Sequence, residues 1–125
     1  AGNSGNGGDG VESSITGSPT NRAGGAGGGA YSFTLFDNTI SGSAGSGGLG
    51  GGGSSSTGEQ NTGGGGGCNS GSSAFAGGSG VVILRYPNTV TINLGASVSG
   101  TENLDGDFKY AEITSGTGNI SFSAA

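Results

Sequence analysis

The sequence has no histidine, no methionine and no tryptophan, and a single cysteine, Cys68. Without histidine, the commonest proton shuttle and the usual activator of a serine nucleophile are both missing, so the many serines have no partner of that kind. One cysteine makes neither an intrachain disulfide nor a cysteine metal cluster, and Cys68 reads as a small residue in a glycine loop. The only basic residues are Arg22, Arg85 and Lys109. Three cations cannot line a surface that tracks a phosphate backbone, which argues against nucleic-acid binding. No apolar run approaches the roughly 18 residues of a membrane span and no signal peptide is recognisable, so membrane insertion is not expected. A chain that begins at Ala1 and lacks methionine is expected to be processed or to be a piece of something longer.

Large apolar residues are scarce as well. Leu, Ile, Val and Phe together number 21 of 125, below the usual floor for a chain that builds its own large core. Net charge is only −5, and the high charge that accompanies intrinsic disorder is absent. A folded structure then needs dense backbone hydrogen bonding, or burial between subunits, to offset the ordering of its backbone.

Glycine fills the space left by these absences, with 34 residues, of which 29 fall within residues 1–80 and 5 within 81–125. This shift near Gly80 divides the chain into a glycine-rich region, 1–80, and a small β-strand region, 81–125. Glycine clusters at 24–29, 47–53 and 63–67 exclude stable helix, since each glycine costs roughly 1 kcal/mol relative to alanine there and no 3.6-residue apolar stripe runs through them. Collagen is excluded too, because no strict glycine at every third position runs through stretches such as Gly24 to Ala30. Two readings stay open for these clusters: flexible linker, or extended glycine strands whose backbones approach closely because no Cβ intervenes. Only Val11–Thr16 and the loosely alternating Tyr31–Phe36 interrupt this region.

The second region reads as strands. Val81–Tyr86 is an apolar run of strand length, stopped by Pro87, which has no amide to donate. Thr89–Leu94 alternates, with Val90, Ile92 and Leu94 on one face. Asp105-Gly106 is a turn signal, and the spacing predicts strands over 107–114 and 119–123 joined as a hairpin through Ser115-Gly116-Thr117-Gly118. The fold class is therefore all-β: short antiparallel strands with extensive glycine-rich extended or irregular layers, and no helix.

Patterns that could carry chemistry dissolve on inspection. Gly5-Asn6-Gly7-Gly8-Asp9-Gly10 fits a dinucleotide-binding fingerprint in letters only, because it has neither a strand before it nor a helix after it. Asp105 and Asp107, with Glu102, have oxygens to offer calcium but not the spacing of a calcium loop, and they read as a solvated turn. Asn119-Ile120-Ser121 meets the glycosylation consensus inside an apparent strand, where it reads as coincidence. The expectation is no catalytic residue, no cofactor and no metal site. Tyr31, Phe33, Phe36 and Phe75, in or beside glycine loops, are the candidate recognition residues, since aromatic side chains give rigid contact area at low entropic cost. The bland alternative makes them plugs of a small core.

The run Gly77-Gly78-Ser79-Gly80-Val81-Val82-Ile83-Leu84-Arg85-Tyr86-Pro87 resembles the closing motif of glycine-rich modules in tail-fibre and other virion proteins of tailed bacteriophages, of marine and cyanobacterial type. Gly7 to Ser18, Arg22-Ala23-Gly24-Gly25, and Asn61-Thr62 with the five glycines after it are similar to the internal pattern of the same modules. Asp105 to Tyr110 and Ile113 to Gly118 resemble the β-hairpin that accompanies them. The resemblance implies a β-rich structural scaffold on a fibre or particle surface, with no catalytic residues. Some phage adhesins of this composition stack polyglycine strands side by side and contact receptors through loops. It further implies a virion-surface or extracellular location, other virion subunits as partners, a homo-oligomer of which a trimer is the usual fibre form, and contact with a host cell-surface receptor. A capsid decoration or head-fibre protein, and a non-viral extracellular glycine-rich surface protein, remain alternatives.

Overall fold

The computed structural model describes residues 2–70 and 73–125. Among these there is no helix, and nine strands pair antiparallel wherever a register is defined, so the chain is all-β. It divides into two compact units: Ala1–Glu12 with Asn21–Gly80, and Ser13–Thr20 with Val81–Ala125. Strands β1 (Val11–Ser13) and β2 (Thr20–Arg22) form a two-stranded sheet that carries the chain out to residues 13–20 and back.

The first unit is held by a three-residue hydrogen-bond recurrence between glycine-rich segments. The amides of Ser4, Gly7 and Gly10 donate to the carbonyls of Ser43, Ser46 and Leu49 at 2.8–3.0 Å. Those of Gly25 and Gly28 donate to Gly8 and Gly5, and those of Gly45 and Gly48 donate in turn to Gly28 and Gly25. Three segments are thus bonded mutually. A β-strand offers its groups in two opposite directions; a threefold extended helix, with its three residues per turn, offers them in three, which is what this mutual bonding requires. Further segments join by the same means, with Gly53 donating to Gly65, Gly65 to Gly24, and Phe75 and Gly78 to Gly67 and Gly64.

Side chains reinforce the lattice with the same period. Oδ1 of Asn3, Asn6 and Asp9 accepts the amides of Ser43, Ser46 and Leu49 at 3.1, 2.9 and 2.8 Å. Glycine is a steric requirement at the contacts: a Cβ on Gly45 or on Gly48 would overlap the carbonyl oxygen of Gly5 or Gly8. This packing of backbone on backbone takes the place of a side-chain core.

The same unit holds one hairpin, β3 (Tyr31–Leu35) and β4 (Asn38–Gly42), in register from Tyr31↔Gly42 to Leu35↔Asn38. Phe36 and Asp37 form its turn at φ +49° and +62°, the pair of positive values that a type I′ turn demands and that matches the twist of the flanking strands. Asn38–Gly42 is a strand that the sequence reading left unassigned.

In the second unit, β8 (Phe108–Gly116) lies between β5 (Val82–Pro87) and β7 (Val98–Asp105). A separate pair joins β6 (Val90–Leu94) to β9 (Ile120–Ala124). Two sequence expectations are corrected here. Five strands are present instead of four, the additional one being β7. The expected hairpin between 107–114 and 119–123 does not form, because β8 pairs with β5 and β7 while β9 pairs with β6. The hairpin that does form is β7–β8, turning at Gly106, whose φ is +61°. The register shifts between Ser99 and Gly100, a bulge of the kind that increases local twist.

Tyr86 and Ala111 are the buried hydrophobic residues of the described chain, 7% and 0% exposed. Both lie on one face of the three-stranded sheet with Glu102 and Lys109, as the registers Leu84↔Ala111, Tyr86↔Lys109 and Glu102↔Ala111 dictate. The Tyr86 ring meets that of Phe122 on β9 edge-on, centroids 5.2 Å apart at 66°, a favoured aromatic geometry.

Candidate functional site

The β3–β4 hairpin sorts its side chains by alternation. Tyr31, Phe33 and Leu35 on β3 and Ile40 on β4 share one face, and Ser32, Thr34, Thr39 and Ser41 share the other. On the polar face the Thr34 and Thr39 hydroxyls are 3.3 Å apart. On the apolar face the rings of Tyr31 and Phe33 stack with centroids 6.3 Å apart and planes 21° from parallel. The Tyr31 hydroxyl donates to the carbonyl of Gly2 at 2.8 Å, which ties the base of the hairpin to the glycine lattice.

Exposure divides the aromatic candidates, since Phe33 and Phe36 are exposed while Tyr31 and Phe75 are half-buried. Phe33 is 51% exposed, Leu35 53% and Phe36 95%. These side chains plug no core in this chain. Phe36 also occupies a left-handed backbone position, which costs a residue with a Cβ about 1–2 kcal/mol. Its ring gains nothing inside the chain that would offset this.

Of the four recognition candidates, Tyr31, Phe33 and Phe36 are brought together on this hairpin. Phe75 is not part of the hairpin; it is half-buried on a glycine segment, with its amide donating to Gly67. Leu35 and Ile40 complete the apolar face and were missed by sequence reasoning. The signal was present in the odd-position spacing Tyr31, Phe33, Leu35, and in the alternation Thr39-Ile40-Ser41 that follows it.

The second unit carries the polar clusters. Glu102 accepts a hydrogen bond from the Tyr86 hydroxyl at 2.5 Å through Oε2, and its Oε1 lies 3.0 Å from Lys109 Nζ. The hydrogen bond from Tyr86, then that from Lys109, holds the Glu102 carboxyl below its usual value. Burial, then the bond and charge of Glu102, pushes the Tyr86 hydroxyl well above its ordinary value. A carboxylate kept ionised by two donors and a phenol kept neutral form one hydrogen-bonded network across the three strands.

On the opposite face, Arg85 pairs with Asp105 at 2.7 Å, donates to the carbonyl of Ile15 at 3.2 Å and covers the Phe108 ring at 4.8 Å. Asp105 is thereby engaged by a cation of the chain's own. Among the described residues no three cysteine or carboxylate side chains gather as a metal-binding group.

Compared with protein-family models, with curated proteins and with solved structures, the chain finds no match.

Proposed function

We propose that this chain is a structural virion protein of a tailed bacteriophage, a tail-fibre or related appendage component that displays a contact surface toward the host. The observation that carries the reading is the three-residue lattice of the first unit. Backbone bonded to backbone in three directions gives a stiff scaffold without a side-chain core, a property suited to mechanical display. The sequence resemblance to glycine-rich phage modules points the same way. The apolar hairpin face, raised on that scaffold, is the proposed contact surface. The working assembly is a homo-oligomer among other virion subunits, with a trimer the expected fibre form, located on the virion surface. A host cell-surface receptor is the proposed external partner.

The test is to purify particles of the phage that encodes the chain and to label them with gold-conjugated antibody against it. Label on the fibres, with peptides of the chain recovered from the particles by mass spectrometry, is the expected result. Recovery of no such peptide would overturn the virion reading, and label confined to the shell would overturn the fibre assignment.

A further inference from the structure

We propose that Asn6-Gly7 is a self-modification site guarded by the glycine lattice. Closed, the lattice blocks conversion of Asn6 to isoaspartate; a chain that opens and is converted there does not close again.

Asn6 is the one asparagine of the chain that glycine follows. In an Asn-Gly pair the backbone nitrogen of the glycine attacks the side-chain carbonyl carbon of the asparagine, and no Cβ on the glycine obstructs it. The new N–Cγ bond closes a cyclic succinimide, the Cγ–Nδ2 bond breaks, and the amide nitrogen leaves as ammonia with the proton that the glycine nitrogen gave up. Water then opens the ring at either carbonyl, giving aspartate or isoaspartate. The only co-reactant is water, which reaches the site because Asn6 is exposed.

Three features of the folded chain oppose the first step. The attacking nitrogen is engaged: the Gly7 amide donates to the Ser46 carbonyl at 2.8 Å, and it must lose that proton to become a nucleophile. The attacked group is held, since Asn6 Oδ1 accepts the Ser46 amide at 2.9 Å. The peptide between them has no room to turn, because a Cβ on Gly7 would overlap the carbonyl oxygen of Gly25. Ring closure needs that peptide to rotate out of the extended form of a threefold helix, with ψ of about +145°.

Opening removes all three restraints together, and the two products then differ in what they do to the lattice. Aspartate keeps an acceptor oxygen in place, as Asp9 does toward the Leu49 amide at 2.8 Å. Isoaspartate routes the main chain through the side-chain carbons and lengthens it between the Ser4 and Gly7 amides. Those amides, with that of Gly10, bond to Ser43, Ser46 and Leu49 at the same three-residue step on both segments. Lengthening one segment alone puts the series out of step and leaves backbone groups unpaired in a unit that backbone bonding holds together. Chemical change in the open chain thus makes opening irreversible.

The experiment incubates the full chain at mildly alkaline pH, folded and in guanidinium chloride, and follows Asn6 by peptide mass spectrometry with enzymatic methylation to count isoaspartate. Conversion at Asn6 is expected to be slower by about tenfold or more in the folded chain, a factor set by the free energy of local opening. Returned to native conditions, the Asn6→Asp variant is expected to regain the wild-type denaturant midpoint, and the purified isoaspartyl chain is not. Equal rates in the folded and denatured chains overturn the guard, and absence of conversion in the denatured chain overturns the site. An isoaspartyl chain as stable as Asn6→Asp overturns the loss of closure.

Discussion

The side-chain oxygen of Asn6 accepts the backbone amide of Ser46 at 2.9 Å, and the same bond recurs three residues to either side, from Ser43 to Asn3 and from Leu49 to Asp9. A carboxylate at the third position does the work of an amide at the other two. Only the acceptor oxygen matters, since each of these side chains faces a donor.

Asn6→Asp is therefore expected to be close to neutral, and Asn6→Ala to cost about 1 kcal/mol, the usual net worth of one hydrogen bond. Urea unfolding of the two variants checks this. Equal destabilisation by both would show that the oxygen at this position does not support the lattice.

Gly48 and Gly8 make a sharper contrast, being partners in the lattice with opposite steric surroundings. A Cβ on Gly48 would overlap the carbonyl of Gly8, while one on Gly8 meets nothing within 4 Å. Gly48→Ala is expected to cost about 2 kcal/mol or more, at the severe end for overpacking. Gly8→Ala should lie within about 0.5 kcal/mol of wild type or gain slightly, because alanine restricts the unfolded chain. Thermal unfolding of both proteins decides it, and a Gly8→Ala variant as unstable as Gly48→Ala would contradict the packing described.

The Tyr86–Glu102–Lys109 network sets the pH response of the second unit. Glu102 is lowered in the folded chain, so the stability it contributes is present above its ordinary value of 4.5 and is lost as pH falls through the lowered one. Tyr86 is raised, so its contribution is present below its ordinary value of 10.0 and is lost as pH rises beyond it, because the unfolded phenol ionises first. Glu102→Gln should be less stable than wild type at pH 7, with the difference shrinking in acid. Tyr86→Phe should flatten the alkaline decline. Denaturant midpoints followed from acid to alkaline pH measure both slopes, and parallel curves for wild type and variants would remove the network from the account.

Much of the second unit was legible in the sequence for a simple reason: apolar runs and alternation report which residues a strand must bury. Val82–Pro87 and Val90–Leu94 carry that signal. Val98–Asp105 does not, because Gly100, Glu102 and Asn103 dilute an apolar content of Val98 and Leu104 alone, and its pairing with β8 makes it a strand. The short Ser115–Gly118 connection looked like a hairpin turn, yet its flanking strands join different sheets, a choice made by partners some 30 residues away in β6 and β5. Of the recognition candidates Tyr31, Phe33, Phe36 and Phe75, the first three fall on one hairpin, whereas Leu35 and Ile40 joined the apolar face of that hairpin only once β4 folded back on β3.

By itself the sequence determined that this protein is all-β, without histidine and with one cysteine and three basic residues, because those properties follow from which residues are present and how apolar ones are spaced. It also wrote the Asn3, Asn6, Asp9 triplet. Only the tertiary structure decided what the triplet and the glycines are for, since each bond of the triplet spans 40 residues and glycine has no side chain whose pattern could announce its neighbour. In a chain whose scaffold is backbone packed on backbone, composition permits the lattice and only the meeting of distant segments specifies it.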